Sequence, residues 1–512
     1  MKNLWYYSLL LFILFSSCSK QLPENAVFQD KVIAISPDYS HGTIPWNIAP
    51  LNFSINVEAD DYLAALYSSK GEKIIAGGKQ VEWNLKSWHR LLEANKGDTL
   101  YTEIYLKKGN QWTKHPLLKN VIAPDAIDEY ISYRLIEPSY VTYELMTINQ
   151  RNLTNFDEKV IYDNSMLSSG ENGQCINCHS YQNYNRTGNM QFHVRQHLGG
   201  TVIVTGDNVT KVSLKTEHTI SAGVYPAWHP TENLIAYSTN NTSQNFHTRD
   251  PQKVEVMDSE SALILYDVTK NEVKEIVNEP NHLETFPAWS PDGKYLYYVS
   301  AAYPENINKD SENLYLEYKD FRYNIYRKAF NPETYEFTAT DTIFEASEYG
   351  KSATFPRVSP DGRYLLFTLG DFGNFHIWHK SSDLYLLDME TWTLSALAEL
   401  NSPDVESYHS WSSNGRWIIF SSRRDDGSYT RPYIGYFKDG KASKPFILPQ
   451  KSPDFYGEFF KSYNIPEFMV EPVKVSRKNL VDAIKKDAQQ ATFNNELKKP
   501  VIKKDEKENF YE

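Results

Sequence analysis

The 512-residue chain has only three cysteines, and no second Cys pair stands at a spacing that would complete a four-ligand zinc site. It has no Gly-x-Ser-x-Gly nucleophile elbow, which excludes an α/β-hydrolase domain of the usual kind. No βαβ pattern surrounds its Cys-x-x-Cys, as a thioredoxin-like motif would require. No basic block interrupts the body of a chain whose net charge is −12, which argues against nucleic acid as a partner. Its apolar leader, Leu4 to Phe15, runs for about a dozen residues, too few to span a bilayer.

That short run follows Met1-Lys2-Asn3 and precedes Phe15-Ser16-Ser17-Cys18, the order of a secretory signal. The small residues closing on Cys18 resemble a bacterial lipobox. Residues 1–17 are then a signal peptide, Cys18 is the acylated first residue, and 18–30 form a tether. Loss of 1–17 removes one lysine, leaving 52 basic against 65 acidic residues, a net charge of −13. The expected location is the cell envelope, at the outer membrane or a periplasm-facing membrane, with a lipid anchor and an envelope protein as partner.

Aromatics make up 14% of the chain, led by 36 tyrosines, and there are 25 prolines, which together point to an all-β protein of many short strands. Alternating stretches such as Leu51–Val57 and Leu100–Leu106 predict a β-sandwich-like domain over residues 31–120. Beyond residue 220 the sequence repeats itself: Tyr225-Pro226-Ala227-Trp228, Phe286-Pro287-Ala288-Trp289, Phe355-Pro356-Arg357-Val358 and Tyr408-His409-Ser410-Trp411. Each copy leads into a reversal such as Ser290-Pro291-Asp292-Gly293 and out along an aromatic strand. Proline presets φ, aspartate bonds the backbone ahead and glycine supplies φ > 0. The steps of 61, 69 and 53 residues suit one propeller blade per copy, with loops of unequal length.

This pattern resembles the TolB-type β-propeller, which implies six blades. The expected propeller covers 121–472, with residues 121–215 and 430–472 supplying the blades that lack the repeat. A C-terminal helix over 476–496, solvated, and a charged tail complete the region 473–512. Tyr133–Pro138, Met190–Arg195, Trp228-His229-Pro230 and Ser462–Phe468 also resemble Bacteroidetes-type envelope lipoproteins that join such a propeller to a single c-type haem.

The haem signature is Cys175-Ile176-Asn177-Cys178-His179. Two thiols two residues apart can straddle a porphyrin edge, and the adjacent histidine can offer nitrogen to the iron. A small disulfide, a redox dithiol or half of a zinc site are the competing readings. Glycines 170, 173, 188, 199 and 200 predict an irregular haem loop over about 164–200. Met190, His193 and His197 lie 11, 14 and 18 residues beyond His179, within reach of the distal face. Met190 is the preferred ligand and would raise the potential; His193 or His197 would give a bis-histidine centre. Arg186 and Arg195 are candidates to pair with the propionates. His229 and His409 belong to repeat turns and read as structural. The function expected is electron transfer by a monohaem cytochrome. The alternatives are a binding protein with a structural or sensory haem, its propeller mouth engaging a protein or glycan, and a peroxidase-like enzyme with an open distal site.

Overall fold

The structure, a computed structural model, describes residues 21–137, 145–168, 172–247, 249–250, 252–305, 307–311 and 313–497. Cys18 and the leader lie outside these residues. The chain divides into two compact units. One holds the residues up to His41, Pro50–Ala123 and Pro449–Phe455, and the other Gly42–Ala49, Pro124–Leu448 and Tyr456 onward.

In the first unit, long strands Asp61–Tyr67 and Thr99–Lys108 pair antiparallel in the main sheet, and Ile35–Ser36, Phe53–Ile55 and Gln80–Val81 form a small second one. A helix the sequence reading missed, Leu85–Ala94, is capped by the Asn84 side chain accepting from the Ser87 N–H and buries Trp88, Leu91 and Leu92. Its three apolar anchors at positions 88, 91 and 92 follow helical spacing, but they are too few to stand out among strand-forming neighbours.

The second unit is a six-bladed β-propeller. The second blade is a meander of Gln174–Tyr181, Met190–Gln196, Gly200–Thr205 and Asn208–Ser213. The third runs Val224–Trp228, Leu234–Phe246, Val254–Asp267 and Glu272–Val277, and the fourth His282–Trp289 to Glu336–Phe344. The fifth spans Ser352–Val358 to Thr393–Ala396, and the sixth begins with Glu406–Trp411 and Trp417–Ser422. The first blade closes the ring. Its strands Tyr130–Ile136, Thr147–Asn152 and Glu158–Asp163 take their innermost partner, Ser462–Met469, from more than 300 residues away. The six inner strands touch in sequence around the axis.

Two expectations need correction. The region 164–200 is no irregular loop but carries the first hairpin of the second blade, because Gln174–Tyr181 pairs along Met190–Gln196, with Gly188 in the connection between them and Gly200 opening the next strand; Gly170 lies outside the described residues. The C-terminal helix ends at Ile484 and is packed, with Leu480, Ala483 and Ile484 buried in the core of the first and second blades. Beyond it, Gln489–Gln490 and Thr492–Phe493 add to the outer edges of the second and third blades. An unpaired sheet edge recruits backbone whatever the composition of the segment beside it.

Candidate functional site

Each inner strand carries one β-bulge, and each bulge has a residue in the left-handed region. These are Cys178 (φ 51°), Tyr225 (49°), Phe286 (51°), Phe355 (54°), Tyr408 (39°) and Ile465 (50°). A bulge opposes two residues to one and turns the strand sharply, which suits the crowded axis of a propeller. The next residue is His179, Pro226, Pro287, Pro356, His409 or Pro466. Cys178-His179 is thus the second blade's version of the same structural unit, and its nearest counterpart is Tyr408-His409 of the sixth.

The correspondence extends to the imidazoles. His409 reaches the preceding blade, its Nε2 3.1 Å from the Leu366 carbonyl oxygen. His179 faces the matching groups, the carbonyls of Ser132 and Ile465, which favour its charged form weakly. Neither makes a well-formed hydrogen bond, so both ring nitrogens are buried and unpartnered. Desolvation, reinforced by the charge of Arg134, pushes its pKa down to about 3. The ring is therefore neutral near neutral pH, with a nitrogen lone pair free to bind a Lewis acid.

The bulge residues line the axis. Tyr225, Phe286, Phe355 and Tyr408 form a continuous aromatic arc, with successive ring centroids 4.3, 4.4 and 4.6 Å apart. At one mouth lies a cavity of about 390 Å³ into which both Cys175 and Cys178 open. Its walls include Met146, Tyr225, Tyr408, Phe375 and Ile465, with Arg134 and Arg195 at the side. Arg134 joins the first and second blades, donating to the Ile176 carbonyl at 2.9 Å and to Asn464 Oδ1 at 3.0 Å. Deeper along the axis a small cavity of about 30 Å³ touches Cys178, His179, Arg357 and Glu467. Both thiols are free. Burial pushes the Cys175 thiol up, partly offset by Arg134 and Arg195. That is the reverse of the lowered pKa that activates a redox dithiol.

The structure brings Cys175, Cys178 and Arg195 together at one cavity, keeps His179 beside Cys178 at the waist, and leaves the expected distal ligands elsewhere. Met190 pairs opposite Tyr181 and is buried in the core shared by the first two blades, away from both cavities. His193 is also inside the blade, its Nδ1 2.9 Å from Thr201 Oγ1 and its ring 5.7 Å from that of Tyr237. Their nearness to His179 in sequence suggested a loop able to fold back; a hairpin instead holds both on a second strand behind the channel wall. His197 lines neither cavity. Arg186 opens on the opposite mouth, beyond reach of the thiol cavity's lining. Met146, missed by the sequence reading, does line that cavity; nothing in its local sequence marks it, because ring closure alone brings the first blade alongside the second.

Among the described residues, no three His, Cys, Asp or Glu side chains converge as metal ligands, and His376 and His379 are occupied otherwise. His379 Nε2 lies 3.0 Å from Glu255 Oε2, and His376 Nδ1 3.0 Å from Thr368 Oγ1. A zinc site built on Cys175 and Cys178 therefore lacks its remaining donors.

No family model matches the chain, and no curated protein matches it. Among solved structures it is similar to hydrazine synthase of Kuenenia stuttgartiensis (10% identity, 64% of this chain and 48% of that one, TM-score 0.39). It is also similar to an oligogalacturonate lyase of Vibrio parahaemolyticus (14% identity, 81% and 99%, TM-score 0.31). A prolyl endopeptidase is a third (10% identity, 68% and 47%, TM-score 0.31). The strand pairing itself, not these distant likenesses, defines the six-bladed propeller.

Proposed function

We propose that this protein is a propeller-borne c-type cytochrome that passes electrons at the cell envelope. The observation that carries the reading is that Cys175 and Cys178, spaced for thioether attachment, both open into one cavity of about 390 Å³ whose wall mixes apolar with polar and charged side chains. The residues fit the group. The two thiols would hold its edge and Arg134 and Arg195 would meet its carboxylates. His179, next to Cys178 with both ring nitrogens unpartnered, lines the small waist cavity and not this one, so it would have to turn toward the group to bind it. A haem bound there supplies one-electron redox chemistry. The chain's contribution is to hold the thiols on a rigid inner strand, to exclude bulk water with Tyr225, Tyr408 and Phe375, and to leave one mouth open toward a partner.

Protein made with a cytochrome c maturation system should keep a haem stain through denaturing electrophoresis and acid-acetone extraction. Cys175→Ser with Cys178→Ser should abolish the stain. A wild-type protein that yields no pyridine haemochrome under those conditions would sink the reading, leaving a dithiol or a plain binding propeller. The same experiment separates Met190, expected from the sequence, from Met146, which lines the cavity: Met190→Ala should leave the haem spectrum unchanged where Met146→Ala shifts it.

The envelope location rests on the leader and Cys18. Acylation at Cys18 places the protein on a membrane by its lipid, helped by a second contact, because one chain alone binds weakly. Cys18→Ala should move it to the soluble fraction; an unchanged distribution would point to a different anchor.

A further inference from the structure

The opposite mouth of the channel holds a second cavity of about 390 Å³. Its collar follows from the repeat. The residues three places after each bulge residue are Tyr181, Trp228, Trp289, Val358, Trp411 and Phe468, all of which line this cavity. Two of the three indoles are tied to the preceding blade: Trp289 Nε1 donates to the Ala227 carbonyl and Trp411 Nε1 to the Arg357 carbonyl, each at 3.1 Å. Trp228 Nε1 breaks the pattern and is a buried donor without a partner.

The residues two places after the bulge point the same way. Four are small: Ser180, Ala227, Ala288 and Ser410. The other two are Arg357 and Glu467, which line both this cavity and the small one at the waist of the channel. They make no ion pair with each other. Among the described residues, the Arg357 guanidinium hydrogen-bonds only to the carbonyl of its own neighbour, Pro356, at 3.1 Å. Both side chains are half-buried and border open space, yet the walls crowd them. Desolvation pushes the Glu467 carboxyl up to about 7, against the opposing pull of Arg357. The same desolvation lowers Arg357, which stays a cation at any ordinary pH. A second guanidinium, Arg186, also faces the cavity. The charged side chains lining the cavity are thus two guanidiniums against one carboxyl.

We propose that this mouth binds a small organic carboxylate, its anionic group on Arg357 and its apolar body against Trp228, Trp289 and Trp411. A guanidinium matches a carboxylate in a two-pronged geometry and is less costly to desolvate than an ammonium. Flat indole faces suit an aromatic or alicyclic body better than an extended chain. The inference is independent of any group at the thiol mouth, and its test reads only this end.

The probes are benzoate, benzamide and benzylamine, titrated into the purified full chain and followed by calorimetry and by tryptophan fluorescence. Benzoate should saturate one site and change the fluorescence. Benzamide, its neutral isostere, should bind at least about tenfold more weakly, and benzylamine should not compete. Arg357→Gln should weaken benzoate by a similar factor. Glu467→Gln, which removes the remaining negative charge without emptying the space, should leave binding unchanged or tighter, and it serves if Arg357→Gln fails to fold. Equal binding of benzoate and benzamide, tighter binding of benzylamine, loss of benzoate in Glu467→Gln, or no saturable benzoate binding overturns the proposal.

Discussion

At pH 8 the Glu284→Gln variant is expected to be about 4 kcal/mol more stable than the wild type, and at pH 5 more stable by no more than about 1 kcal/mol. Glu284 sits on the inner strand of the fourth blade, only 1% exposed. One oxygen accepts a long bond of 3.4 Å from the Glu279 N–H, and the other has no partner. Desolvation raises its pKa to about 8, and the nearby charges of Glu279 and Glu275 act in the same direction. In the unfolded chain the same group ionises near 4.5. Since the folded value is the higher one, the contribution to stability is full below about 4.5 and is lost as pH rises toward 8. Glutamine keeps the shape and cannot ionise, so the gap between variant and wild type should widen with pH. Urea midpoints across pH 5–8 measure it. A gap independent of pH would mean that Glu284 ionises freely in the folded protein.

The second large effect is expected at the axis. Phe355→Ala should cost roughly 3–5 kcal/mol, the range for emptying a buried aromatic site. Phe355 is 2% exposed and is the middle of the arc, touching Phe286 on one side and Tyr408 on the other. Its φ of 54° holds the ring on the axis, and the bulge leaves the backbone little room to close the space. Trp392→Ala makes the control. That tryptophan is larger still and also has positive φ, but is 55% exposed on a turn of the fifth blade, so its loss should stay within about 0.5 kcal/mol. If both substitutions cost the same in urea unfolding, the arc is not what holds the inner strands together.

The blades themselves were legible because turn chemistry is local. Ser290 and Asp292 show how it works: Ser290 Oγ donates to Asp292 Oδ1 at 2.6 Å, and the Gly293 N–H closes the turn on the Ser290 carbonyl at 2.9 Å. Gly293 takes a φ of 71°, and a Cβ there would strike His229 of the neighbouring blade. Residues this constrained leave a recurring mark, and four copies of it were enough to expect a propeller; the number six came from the resemblance to TolB-type propellers. The first and second blades carry no such turn. Ile465-Pro466-Glu467-Phe468 and Cys178-His179-Ser180-Tyr181 share with the other copies the bulge, its left-handed residue, the Pro or His after it and, as in three of those four, an aromatic three places on, but not the turn that follows. A backbone state of that kind is selected by pairing with a second strand, and it is nearly silent in composition.

The sequence by itself determined that strands of alternating character would be closed by Ser-Pro-Asp-Gly turns, and that two thiols would stand three positions apart beside a histidine. These follow from short-range sterics and hydrogen bonding, which need only a few neighbouring residues. What the thiols face, only the tertiary structure decided. Closure by Ser462–Met469 puts Asn464 and Ile465 of the first blade beside Cys175 and Cys178, and Tyr408 across the axis from them. The register of the second blade turns Met190 and His193 away into its core, and the repetition of the bulge sets Arg357 and Glu467 at the waist. Those placements depend on which strand pairs with which across hundreds of residues, and a side chain's direction reverses with a one-residue change in register.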